Sequence, residues 1–204
     1  MSTQRIEHTV QEYTYKRPKR AREDVEFPLA PETSKSRQED GTDSRDATRG
    51  RILALLRQVE GEGQGSLSFA DVIAHHEAVQ SRWNSEVGED LAELGVNVDA
   101  VFRLMYDPAG VVTVAGGHSD QEMIDSYFIA NPGKVRELGE ILQYGRLASA
   151  AGTGLNRNEL EQPRSAEAMT EWYASNVNPA SLSGGGGMLF GAGGTVYRGL
   201  DIRV

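Results

Sequence analysis

From Phe69 to Leu94 the apolar positions recur every three or four residues, through Val72, Ile73, Val79, Trp83, Val87 and Leu91, with His76 inside the stripe. An α-helix places such a series on one face, because its period is 3.6 residues. Ser68 with Asp71 three positions on resembles a capping arrangement in which a shorter acid replaces the preferred Glu, and Gly95 supplies the stop. The spacing predicts one helix of roughly 27 residues, about 40 Å long at 1.5 Å per residue. Gly88 is the position at which it would bend or split.

The neighbouring segments read as shorter elements. Ile52, Leu55, Leu56 and Val59 fall at i, i+3, i+4 and i+7, in a helix expected to begin near Asp43 and to stop at Gly61. With GEGQGSL as the connector, the two helices make a helical hairpin. Val101, Arg103 and Met105 then alternate with Phe102, Leu104 and Tyr106. DPAG has the residue preferences of a type I turn, and VVTV returns with strong β-formers, which completes a two-stranded β-hairpin. Ser119 with Glu122 has the form of a capping box ahead of Met123, Ile124, Tyr127 and Phe128. Asn131-Pro132 opens a further helix carrying Val135, Leu138, Ile141 and Leu142.

The expected fold class is α+β, mainly helical: a helical hairpin, a two-stranded β-hairpin and two helices, with a disordered N-terminal tail and a Gly-rich C-terminal segment. The boundaries are a polar tail over 1–46, a folded domain over 47–150, a loose linker with one short helix over 151–187, and a C-terminal β segment over 188–204. The short helix is placed around Met169, Trp172 and Tyr173, and the β segment ends with Leu200, Ile202 and Val204 on one side. A two-stranded hairpin is marginal alone, so this one must lie on the helices or gain the C-terminal strand. The glycines flanking Met188-Leu189-Phe190 point to mobility.

The tail combines prolines with mixed charge and has no sustained period. Residues 1–50 hold ten basic and ten acidic side chains, so the net charge of -9 arises from the eleven basic and twenty acidic residues that follow. An acidic body disfavours general affinity for nucleic acid or anionic membrane. Within the tail, Lys16, Arg17, Lys19, Arg20 and Arg22 form a basic cluster that could tether phosphate nonspecifically. Pro18 at its centre and Glu23, Asp24 and Glu26 beside it oppose sequence-specific readout. The absence of cysteine excludes disulfides and thiolate metal sites, and no stretch approaches the ~20 apolar residues of a membrane span. The expectation is a cytoplasmic protein, with export by a route lacking a cleavable signal as the alternative.

The passage YDPAGVVTVAGGHSDQE holds the residue types of a phosphate cradle or a metal corner. It lacks the lysine and the glycine spacing of phosphate loops, and the simplest reading of Gly116-Gly117 is a turn between strand and helix. His75 and His76 are adjacent, about 100° apart on a helix, and cannot chelate one metal locally. A site would need His76 and His118 to meet after folding, with Glu77 or Asp120. No G-x-S-x-G occurs, and Glu89-Asp90 and Glu137/Glu140 suit the solvent face of helices. The reading is therefore a non-enzymatic adaptor with a protein partner and no cofactor. Its candidate interaction residues are Phe27 and Leu29 in the tail and Met188, Leu189 and Phe190 near the C-terminus. The alternatives are a metal-assisted hydrolase using His76 and His118, and a nonspecific nucleic-acid tether.

Overall fold

Capping and burial together set the main helix, α2, which runs unbroken from Phe69 to Glu93. Asp71 N–H donates to Ser68 Oγ at 3.1 Å, and Ser68 N–H donates to Asp71 Oδ2 at 2.7 Å, so the shorter acid closes the box. Gly88 does not split the helix; its bare face admits the ring of Phe190, 3.7 Å from where a Cβ would stand. The structure, a computed structural model, describes residues 36–59 and 66–191, with side chains from Arg45 onward except that of Ser183.

Among the described residues ten elements follow in chain order: α1 (Ser36–Leu56), α2, β1 (Phe102–Tyr106), β2 (Val112–Ala115), α3 (Gln121–Ala130), α4 (Pro132–Gly154), α5 (Arg157–Glu161), α6 (Ala166–Asn176), α7 (Pro179–Ser183) and β3 (Gly186–Phe190). The molecule is α+β and mainly helical. Helices α2 and α4 pack along each other and form the spine. At one end Ile52, Leu56, Phe69, Tyr144, Met169 and Tyr173 close a helical core among α1, α2, α4 and α6. At the other, Trp83, Leu91, Leu104, Ile124, Phe128 and Met188 join α2, α3 and the sheet. Val79 packs against both cores and links them.

The hairpin gains a third strand. β3 pairs antiparallel with β1, setting Phe190 opposite Phe102 and Met188 opposite Leu104, and the strand order is β2-β1-β3. Two expectations change here. Residues 151–187 carry the end of α4 and three helices, because Met169, Tyr173, Val177 and Leu182 are apolar enough to seal the helical core. The glycine run before β3 is held rather than loose. Arg146 of α4 donates to the carbonyls of Gly184 at 3.0 Å and Gly185 at 2.7 Å, and a Cβ on Gly185 would stand 2.6 Å from the carbonyl oxygen of Tyr106.

Helix α1 also starts earlier than its apolar spacing predicts, at Ser36 inside the polar run assigned to the tail, and it ends at Leu56 before Gly61 is reached. The expected terminal strand over residues 195–204, the basic cluster, and Phe27 and Leu29 lie outside the described residues, as does Gly61. No helix among the described residues is long and apolar enough to cross a membrane.

Candidate interaction surface

Alternation along the strands sorts the sheet into two faces. Phe102, Leu104, Val112, Val114, Met188 and Phe190 point inward and are buried on the helices. The odd positions of β1 and their register partners point outward. There Val101 is 57% exposed, Met105 40% and Val111 48%, with Leu189 partly exposed beside Arg103. An open cleft of about 560 Å³ continues this face past Ala100 and Ala115 to Gly116, Gly117 and His118.

The strand Gly186–Phe190 thus divides the expected interaction residues. Met188 and Phe190 belong to the core, Phe190 against Trp83 with ring centroids 6.1 Å apart. Leu189 alone of the three faces outward, opposite Arg103. Three consecutive apolar residues read as one docking segment only until the pleat is known, since neighbours in a strand face opposite ways. Sequence reasoning missed Val101, Met105 and Val111. The signal was present: β1 and its entry residue are apolar at 101 and 105 as well as at 102, 104 and 106, so neither side of the strand is polar throughout.

The glycine pair does what a strand-to-helix turn requires. Gly116 and Gly117 have φ of 107° and 73°, a region costly to residues with a Cβ. The Ser119–Glu122 capping box does not form. Helix α3 has Asp120 at its N-cap with no side-chain cap bond, because the carboxylate turns away to accept from Asn97 N–H at 3.1 Å. Asp120 N–H donates to His118 Nδ1 at 3.1 Å, so the ring proton sits on Nε2, which donates to the carbonyl of Asn97 at 3.2 Å. His118 and Asp120 together pin the end of α2 to the start of α3.

Both nitrogens of His118 are engaged in the backbone, which leaves no lone pair for a metal. His76 sits elsewhere, facing α4 where a Cβ on Gly145 would lie 3.1 Å from its Nε2. His118 bonds Asn97 just beyond α2, and His76 lies 17 residues before the last residue of that helix, roughly 25 Å along its axis. The two histidines do not share a site. Among the described residues no cluster of three His, Cys, Asp or Glu is arranged to hold a metal. Burial holds the His76 imidazole below the usual histidine range, with Glu77 opposing and His75 adding to the shift. That effect belongs to helix packing.

Compared with protein-family models, with curated proteins and with solved structures, the chain matches none.

Proposed function

We propose that the protein is a non-enzymatic interaction module that binds a partner protein across the outer face of its sheet. The supporting observation is the exposure of Val101, Met105 and Val111 together on a face that no helix covers among the described residues. Exposed apolar side chains that share one face of a folded chain favour burial against another surface, at about 25 cal/mol per Å² removed from water.

The hydrolase alternative has no geometric support, since His118 is spent on the backbone and His76 on the α2–α4 contact. The phosphate-tether alternative rests on residues 16–22 alone. The test is an affinity capture with the full chain and two variants, Val101→Glu/Met105→Glu on the sheet face and Ile129→Glu on α3. A partner held by the unaltered chain and by the α3 variant, and released by the sheet variant, supports the reading. Equal retention by all three contradicts it.

A further inference from the structure

The two edges of the sheet differ. At the β2 edge, Val114 N–H donates to Asp125 Oδ1 of α3 at 2.9 Å, so a helix side chain closes a group that faces out of the sheet. β3 is the other edge. Asp107 N–H donates to the carbonyl of Val111 at 3.0 Å, which makes this pair hydrogen-bonded and fixes the alternation along β1. Arg103 and Met105 therefore bond toward β2, and Phe102, Leu104 and Tyr106 toward β3. Their partners Gly186, Met188 and Phe190 are thereby used. The N–H and C=O groups of Gly187 and Leu189 point away from β1, where no strand meets them among the described residues. An open row of this kind accepts another strand.

Beside this edge a groove of about 440 Å³ runs along α2, past Gln80, Asn84 and Gly88. Three contacts fix how it lies on β3. Gln80 Nε2 is 3.6 Å from Met188 Sδ, Gly88 faces the Phe190 ring, and Gly191 abuts Val101, which follows closely on Asp99. Glu77, three residues before Gln80, thus lines the groove toward Met188, and Asp99 lines it toward Phe190. No basic side chain lines it among the described residues. Arg146 lies past the Met188 end, where a Cβ on Gly186 would stand 3.1 Å from its Nη2. Charge along the inner side of β3 therefore changes sign, from a guanidinium at Gly186 to carboxylates toward Met188 and Phe190.

We propose that the β3 edge and this groove bind an extended basic peptide of a partner protein as an added strand, with Lys or Arg at two positions two residues apart. Side chains of an added strand alternate between the faces as those of β3 do. Those opposite Met188 and Phe190 turn inward toward α2 and meet Glu77 and Asp99. The residue between them bonds to the open N–H and C=O of Leu189 and turns its side chain outward. A residue opposite Gly186 faces Arg146 and is not basic. Backbone pairing supplies affinity, and the order of charges along β3 selects the strand. A second copy of β3 fits less well, because GGMLF carries no cation to set against the two carboxylates. The site is distinct from the outer sheet face formed by Val101, Met105 and Val111.

The probe is a blocked heptapeptide, Thr-Val-Lys-Val-Lys-Val-Thr, whose inward series is Thr, Lys, Lys, Thr in either strand direction. Two comparators replace both lysines with glutamate, or the central valine with proline. Amide exchange is read residue by residue on the full chain with and without each peptide. Gly187 and Leu189 are expected to exchange at open-edge rates in the free chain. The lysine peptide should slow both at least about tenfold and leave Met188, bonded to β1, unchanged. Neither comparator should do so. Glu77→Lys/Asp99→Lys is expected to weaken binding about tenfold, and Val101→Glu/Met105→Glu to retain it. Protection of Gly187 and Leu189 without peptide would overturn the proposal, assigning the edge to the chain's own residues, or to a second copy if it rises with protein concentration. So would no binding of the lysine peptide, equal binding of either comparator, or loss of binding in Val101→Glu/Met105→Glu, which would move the peptide to the outer face. Failure at the edge leaves the outer-face reading intact, since partner capture is tested with other variants.

Discussion

The hydroxyl of Tyr106 occupies the place where a side chain at position 139 would begin: a Cβ on Gly139 would lie 2.8 Å from Tyr106 Oη and 3.0 Å from Cζ. Strand β1 approaches α4 closely only because that helix position is bare. Two effects oppose each other in Gly139→Ala. Helix propensity favours alanine by about 1 kcal/mol, and overpacking against a ring held between β1 and α4 costs about 1–3 kcal/mol. The clash is expected to win, with a net loss near 1 kcal/mol in urea unfolding. Adding Tyr106→Phe should recover part of the loss. A Gly139→Ala protein more stable than the parent would show that the ring simply moves aside.

Arg146 offers a second test of close packing. Its guanidinium reaches the carbonyls of Gly184 and Gly185, and a Cβ on Gly186 would stand 3.1 Å from its Nη2. Arg146→Lys keeps the charge but not the planar fork. Hydrogen bonds to charged groups contribute about 1.5–3 kcal/mol each, and partial exposure places the expected loss at the low end of that range. Limited proteolysis should then cut first between Gly184 and Gly187. Unchanged resistance would mean that β3 pairing alone holds the run.

Burial depresses the His76 pKa in the folded chain, with His75 on the same helix in the same direction and Glu77 against it. The unfolded chain therefore binds more protons in the window just below the ordinary histidine value of about 6.5. Stability from this residue is fully present above that value and is lost as pH falls through the window toward the folded pKa. Denaturant midpoints at about pH 8 and pH 5.5 should differ less in His76→Gln than in the parent protein. An equal difference in both would assign the pH dependence to other groups.

What was legible in the sequence followed from local periodicity and local capping. The α2 stripe, the Ser68–Asp71 box, the DPAG turn and the Asn131-Pro132 helix start depend on residues within a few positions of one another, and each is in place. Features decided by distant partners were not legible. Asp120 abandons its helix for Asn97, so the S-x-x-E pattern forms no box. The glycine run looks flexible until Arg146, some forty residues earlier in the chain, is seen to hold it. Helix α1 begins in a polar run, where no apolar period exists to mark it.

The surface residues show the same division. His76 was legible as a packing histidine because its stripe is local. The outward set of Val101, Met105 and Val111 needed the pairing of β1 with both neighbours before its face could be identified as open.

Methionine oxidation tests the interaction surface most directly. Met105 on the outer sheet face is 40% exposed and Met123 on α3 is 45% exposed, while Met169 and Met188 are buried. In the free chain a mild oxidant should convert Met105 and Met123 at similar rates and leave Met169 and Met188 intact. With the captured partner bound, protection is expected at Met105 and not at Met123. Unchanged oxidation of Met105 in the complex, or protection confined to Met123, would contradict the assignment of the outer sheet face as the binding surface.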